Sequence, residues 1–354
     1  MKTILIIAIL AIGLISSPAV ADREFSYDKS DEFEGDQVSK IKIDMPKGLI
    51  ELTKSKSSRI EIDFKNMIHA KNQNEADDIN DECSYRAEVS GDVLSITIDL
   101  PRYTERKGIL KRLLSGDWEN DIESYLRVRI PDGKNIEVKS SSADIEVSEL
   151  TANLDVRSSS TDVTMKNTAG EVSFDLSSGD LDIVNHKGDV KFRGNSSDVD
   201  LTDIEGRLDI ETSSGDGSLD NIKGLTSIYA SSGDYRLYNI DGDLDAHTSS
   251  GDIYASGITG SIRAETSSGD IRLKGLASRD GDFDIESSSG DVILEVTEDF
   301  QGTISLRSTS GSVDSRLSGK LEYLSETSAR GKIGDGEGRL RVSTISGDIS
   351  IDRF

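Results

Sequence analysis

Aspartate recurs every 18 residues through the second half of this chain, at Asp144, Asp162, Asp180, Asp198, Asp216, Asp234, Asp252 and Asp270. With insertions the series runs on to Asp291, then Ser312 in the same role, and Asp348. Two kinds of chemistry attach to such a row. It suits a line of bound cations, or carboxylates that accept hydrogen bonds from backbone groups at their own corners, as Asx-turns do. Stacked about 4.8 Å apart, neighbouring carboxylates repel by roughly 0.9 kcal/mol in water, so one of these must offset the cost. The Gly-Gly-x-Gly-x-Asp run of calcium β-rolls is absent.

Other chemistry is thinly supplied. Serine stands two residues before each of these sites, at Ser142, Ser160, Ser178, Ser196, Ser214, Ser232, Ser250, Ser268, Ser289, Ser310 and Ser346. So many equivalent hydroxyls without a base imply a structural ladder along a stack, not a nucleophile. His69, His186, His247 and the single cysteine, Cys83, show no metal-ligand spacing. No phosphate loop, nucleophile elbow or Cys–His arrangement appears. No catalytic residue, cofactor or metal site is expected. The 66 Asp and Glu residues leave acid/base pairs open. Lys191, Arg193, Arg236, Arg263 and Arg272 fall at outward positions, where they dilute the negative field. Tyr229, Tyr238 and Tyr254 lie on adjacent units at or near outward positions, and suit a stacking surface for glycan or protein.

The elements that position these residues follow from the repeat. Counting Asp234 as position zero, apolar residues fall at one, three and six (Tyr235, Leu237, Ile240) and at ten and twelve (Leu244, Ala246). Glycine holds position eight (Gly242) and position seventeen (Gly251). Each glycine is followed by a short alternating segment, which predicts two strands per unit and a corner at each glycine. One unit cannot bury its inner face alone, but a stack of units makes a continuous core. Roughly twelve coils would form a rod on the order of 55–60 Å long. The expected fold is all-β: a single-stranded β-solenoid (β-helix) with 18-residue coils, regular over residues 134–354.

Composition agrees with a thin core. Hydrophobic residues make up 34% and aromatics 5%, and there are 32 glycines. The formal charge of −25 argues against nucleic acid or anionic lipid as partner. Lys2, the apolar run Ile4 to Ile15 and Ala19-Val20-Ala21 read as a signal peptide over residues 1–21, with a mature start at Asp22. No later segment is apolar enough to span a bilayer as a helix. Residues 22–133 alternate less regularly and are expected to form irregular β coils or a capping region with two insertions. One insertion, Asn72 to Glu82, is polar and suits a short helix. The other, Arg102 to Trp118, is basic and amphipathic, and suits packing over the stack end or a membrane or partner contact.

The recurrent Ser-Ser-Gly-Asp corners, Pro46-Lys47-Gly48-Leu49-Ile50, and Arg129-Ile130-Pro131-Asp132-Gly133 together resemble the bacterial putative-adhesin family of β-strand-repeat proteins, a domain of unknown function. The resemblance spans roughly residues 36–354. It implies a cell-envelope or exported solenoid in the periplasm, at the cell surface or secreted, and carries over no catalytic residue. The function expected is non-enzymatic: an adhesin-like, scaffolding or sensing module that binds an envelope protein or glycan through a flat face. Two other readings stand beside it, a β-helix polysaccharide lyase or hydrolase, and a calcium-stiffened rod.

Overall fold

The computed structural model describes residues 23–101, 122–276, 281–317 and 321–353. The expected signal peptide, the Arg102–Trp118 insertion and Phe354 lie outside the described residues. A typical unit starts with strand Val172–Ser178, whose Val172, Phe174 and Leu176 point inward. Strand Leu181–Lys187 follows and buries Leu181, Ile183 and His186. Successive units pair in parallel with residues 18 apart, Val172 on Val190 on Leu208 in one sheet and Leu181 on Val199 on Gly217 in the other. Among the described residues the strands form a front sheet of 15, containing Leu181–Lys187, and a back sheet of 16, containing Val172–Ser178. Their inner faces share one apolar core that runs from Val38 to Ile351.

A left-handed residue explains why position six, and not five, points inward. Asn185 has φ 57°, and Asn167, Asp203, Asn221 and Asn239 at the same position have φ between 54° and 58°. Asparagine and aspartate tolerate this region better than most residues. The extra residue keeps both Val184 and Asn185 out of the core and returns His186 to it. Asn185 Nδ2 donates to Asn167 Oδ1 at 2.7 Å, linking neighbouring coils.

The position-eight glycines answer a different need. Gly188 has φ +142°, and a Cβ built on it would lie 2.0 Å from the Gly170 carbonyl oxygen. Two backbones touch there, so the corner tolerates no side chain.

Both ends depart from simple succession. Lys40–Asp44 and Lys47–Lys54 are early in the chain, yet they sit one place inside the stack. They lie between strands Val93–Asp99 and Ile122–Ile130 on one side and Lys134–Ser140 and Ser142–Ser148 on the other. At the far end, Gly338–Thr344 lies between Asp282–Ser287 and Gly302–Ser308. Ile349–Arg353 likewise lies between Val292–Val296 and Val313–Ser315. Here each turn does not rest on the turn before it. The final strands of the chain are not the final strands of the stack.

Among the described residues antiparallel strands extend three of the four sheet ends; the front sheet's far end is the parallel strand Val313–Ser315. Arg23–Glu34 pairs with Arg59–Ala70, which pairs with Ile122–Ile130. Ser84–Ser90 pairs with Val93–Asp99, and Ser328–Ile333 with Gly302–Ser308. The polar insertion forms the helix Gln73–Asp81, capped by Asn72 Oδ1 on the Glu75 N–H at 3.1 Å, with Ala76 and Ile79 packed on Ile68 and Ala70. No helix among the described residues is long and apolar enough to cross a membrane.

Candidate functional site

The aspartate row forms an unbroken chain of bonds along one corner, but not within corners. Asp180 N–H donates to Asp162 Oδ1 at 3.0 Å, Asp234 N–H to Asp216 Oδ1 at 2.9 Å, and Asp270 N–H to Asp252 Oδ1 at 2.8 Å. The row follows spatial order at the far end. Asp291 accepts from Asp348 N–H at 2.8 Å, and Asp348 from both the N–H and the hydroxyl of Ser312, at 2.7 and 2.9 Å. Each carboxylate thus serves the next coil. The two bonds from Ser312 hold the Asp348 carboxyl below its usual range. Among the described residues no group of three or more His, Cys, Asp or Glu is arranged to hold a metal ion.

Ser178, Ser214, Ser232, Ser250 and Ser268 stand in register at the ends of the back-sheet strands, with their side chains exposed. Their backbone carbonyls carry inter-coil bonds, such as Gly233 N–H to Ser250 O at 3.1 Å. A second, buried hydroxyl column was not singled out from the sequence. Thr266 Oγ1 donates to Gly251 O at 3.3 Å, Ser308 Oγ to Gly347 O at 2.9 Å, and Thr344 Oγ1 to Gly290 O at 3.3 Å. Its signal is the recurring Thr-Ser-Ser-Gly that opens at Thr212, Thr248 and Thr266.

Asp200 projects from the front sheet, where burial and then the charges of Asp182, Asp198 and Asp180 raise its carboxyl pKa. A folded pKa above the unfolded one means that the ionised group opposes folding at neutral pH, and that the penalty fades as pH falls. Asp200→Asn is expected to raise the melting midpoint at pH 7 by about 1–2 °C, with the gain shrinking toward pH 4. A lower midpoint for the variant at pH 7 would contradict this.

The three tyrosines do not share a face. Tyr229 is on the back sheet, in Thr226–Ser232; Tyr238 and Tyr254 are on the front sheet, in Tyr235–Asp241 and Ile253–Ser256. Tyr229 is 44% exposed yet held firmly. Its hydroxyl donates to Asp245 Oδ2 at 2.8 Å, and its ring stacks on His247 at 5.0 Å and 3°. His247 is fixed in turn by Asp245 at 2.7 Å and Glu265 at 3.1 Å. On the front sheet the Tyr238 and Tyr254 rings lie 5.5 Å apart at 50°.

The remaining candidates for chemistry are dispersed. His186 is fully buried, bonded to Thr168 Oγ1 at 2.9 Å, and kept neutral by a pKa that burial lowers. Burial pushes the Cys83 thiol up to about 11, which leaves it a poor nucleophile. His69 is far off in strand Arg59–Ala70. A groove of about 550 Å³ crosses the back sheet beside Lys40, Asn135, Glu137, Asn153, Arg157 and Lys191. In it Lys40, 2.8 Å away, and Lys139 hold Glu137 at a pKa of about 2.

A family model described as Toastrack DUF4097 matches residues 38–253, 188–276 and 239–352. Similar solved structures include a putative cell adhesion protein from Clostridium sporogenes ATCC 15579, at 9% identity and TM-score 0.21 over 93% of this chain and 100% of that one. A putative lipid binding protein from Parabacteroides distasonis ATCC 8503 aligns at 13% identity and TM-score 0.30, over 92% and 96%. A putative adhesin from Bacteroides fragilis NCTC 9343 aligns at 11% and TM-score 0.27, over 93% and 97%. No curated protein matches the sequence.

Proposed function

Since this chain belongs to the Toastrack DUF4097 family, we propose that it is an exported, adhesin-like module that binds envelope protein or glycan on its back sheet and catalyses nothing. The observation that carries this reading is Tyr229. An exposed ring that Asp245 and His247 already hold in place loses little freedom on binding, and offers one apolar face to a sugar or side chain. The strands around it are joined by corners of two residues, such as Gly233–Asp234, so no loop encloses the ring. Export rests on Lys2, the Ile4 to Ile15 run and Ala19-Val20-Ala21, and periplasm, cell surface or medium all suit it. Residues 22–133 are read as the region that closes one end of the stack.

A glycosidase would need a carboxylic acid held protonated near its partner. The groove's Glu137 is pulled the opposite way, and Asp200, whose pKa is raised, faces outward from the other sheet. The test is capture from envelope extracts, with a glycan array in parallel, using residues 22–354. Tyr229→Ala should lower capture of the bound species by about tenfold, a typical aromatic anchor effect, and leave the chain folded at a cost of about 1 kcal/mol from the lost His247 stack. Undiminished capture would remove the back sheet as the binding face. Shortening of an envelope polysaccharide by the wild-type chain would overturn the non-catalytic reading.

A further inference from the structure

The front sheet presents two outward columns whose order is set by strand register. One reads Asp182, Asp200, Ser218, Arg236, Tyr254, Arg272, and the other Val184, Thr202, Asp220, Tyr238, Ser256, Lys274. Across six coils the face therefore changes from acidic to basic and aromatic. Arg236 and Arg272 are exposed and have no ion-pair partner among the described residues, although the chain carries a charge of −25. On the back sheet the pattern differs: Arg193 pairs with Glu211 at 2.9 Å and Lys191 with Asp209 at 3.8 Å. At the acidic end, Asp200 is crowded by Asp182, Asp180 and Asp198. In one half of the face Arg236 and Arg272 have no such anion, although Lys274 pairs with Glu295 at 3.2 Å, and in the other half anions crowd one another.

We infer that the front sheet is a self-association face, on which two copies pack with their coil axes antiparallel about a two-fold axis running along the strands between Ser218 and Arg236. Reversing the six coils sets Asp182 opposite the second copy's Arg272, Asp200 opposite Tyr254, Ser218 opposite Arg236, and Asp220 opposite Tyr238. The two-fold axis makes each contact twice. The parallel alternative stacks acidic coils on acidic coils and is opposed by charge. Six coils at about 4.8 Å and seven-residue strands at about 3.3 Å per residue give a face of roughly 600 Å² per chain. The total of about 1,200 Å² is at the lower limit of specific interfaces, so the dimer is of micromolar strength. Its outer surfaces are the two back sheets, each displaying a Tyr229. The inference does not depend on what Tyr229 binds.

Sedimentation velocity of residues 22–354 from about 1 to 200 µM, at about 0.15 M salt, tests it across the affinity expected of such an area. The wild-type chain should pass reversibly from monomer to dimer. Arg272→Asp alone and Asp182→Arg alone should each stay monomeric and folded, with the midpoint of Asp182→Arg at or slightly above wild type because it relieves the crowding of Asp200. An equimolar mixture of the two variants should dimerise again, since each restores an opposite charge to the other. A wild-type chain that remains monomeric overturns the inference, even if its front sheet captures a glycan. So does a mixture that fails to associate, or a wild-type dimer that neither substitution weakens.

Discussion

Gly233→Val is expected to split the solenoid, and thermal melting should show two weak transitions in place of the wild-type unfolding. Gly233 has φ +128°, and a Cβ there would lie 1.9 Å from the Gly215 carbonyl oxygen and 2.7 Å from its carbon. Gly251 stands in the same relation to Gly233, with a Cβ position 2.0 Å from the Gly233 oxygen. No rotamer relieves a clash between a side chain and backbone on a neighbouring coil. The coil must lift away from the one before it, which breaks the bonds from Gly217 N–H to Asp234 O at 2.9 Å and from Asp234 N–H to Asp216 Oδ1. Overpacking of this kind costs about 3 kcal/mol or more, against a total stability of roughly 5–15 kcal/mol. Ser197 supplies the control. It holds the equivalent corner position 36 residues earlier, is 4% exposed, and is not among the positive-φ residues. Ser197→Gly should therefore melt within about 2 °C of wild type. Circular dichroism on both variants checks this, and a Gly233→Val midpoint close to wild type would sink the account of touching backbones.

Truncation after Glu337 should release residues 302–333 from the stack. The removed coil contributes Leu340, Val342, Ile349 and Ile351, each at most 1% exposed. Four such side chains are worth about 1.5–3 kcal/mol apiece on burial. Their loss also uncovers Phe283, Ile285, Val292 and Leu294 on one side and Ile304 and Leu306 on the other. Residues 302–333 bond to the rest of the stack chiefly through this coil. Limited proteolysis with mass spectrometry should show early cuts within 302–333 in the truncated chain and protection in the full one. Equal protection in both would mean that the gap closes by direct docking, and would refute the prediction.

The 18-residue register and both glycine corners could be read from the sequence, because Asp234, Gly242 and Gly251 recur with their neighbours at fixed spacing. The side on which a residue emerges was harder to read. A single left-handed Asn185 or Asn239 shifts the inward and outward alternation. Tyr229 and Tyr238 seem neighbours along the chain, but a corner turns them to opposite sheets. The direction of the bonds along the aspartate row was not legible, since the sequence shows an Asx-like residue and not the N–H it faces. The order of coils at the ends was hidden for another reason. Ile349-Ser350-Ile351 has the same alternating pattern as any inner strand, so nothing local tells whether it stacks last or next to last. Of the candidate site, the exposure of Tyr229 was legible; its bracing by Asp245, His247 and Glu265 depends on which columns meet.

A stack of parallel coils is also a growing tip, because its last rung offers the next chain the same unpaired N–H and C=O groups that every earlier rung offered. Here the twelve-residue strand Arg23–Glu34 terminates the front sheet; two antiparallel pairings return it to the solenoid direction, and its own Glu24, Asp28, Asp31, Glu32 and Glu34 outnumber Arg23 and Lys29. On the back sheet Ser84–Ser90 ends one tip in the opposite direction, while at the other tip Ser328–Ile333 reverses and Leu321–Ser325 reverses back again. A newcomer in solenoid register meets the wrong polarity on Ser84–Ser90, like charge on Arg23–Glu34, and a strand of only three residues on Val313–Ser315. Each of these features disfavours end-to-end growth of the stack into fibres.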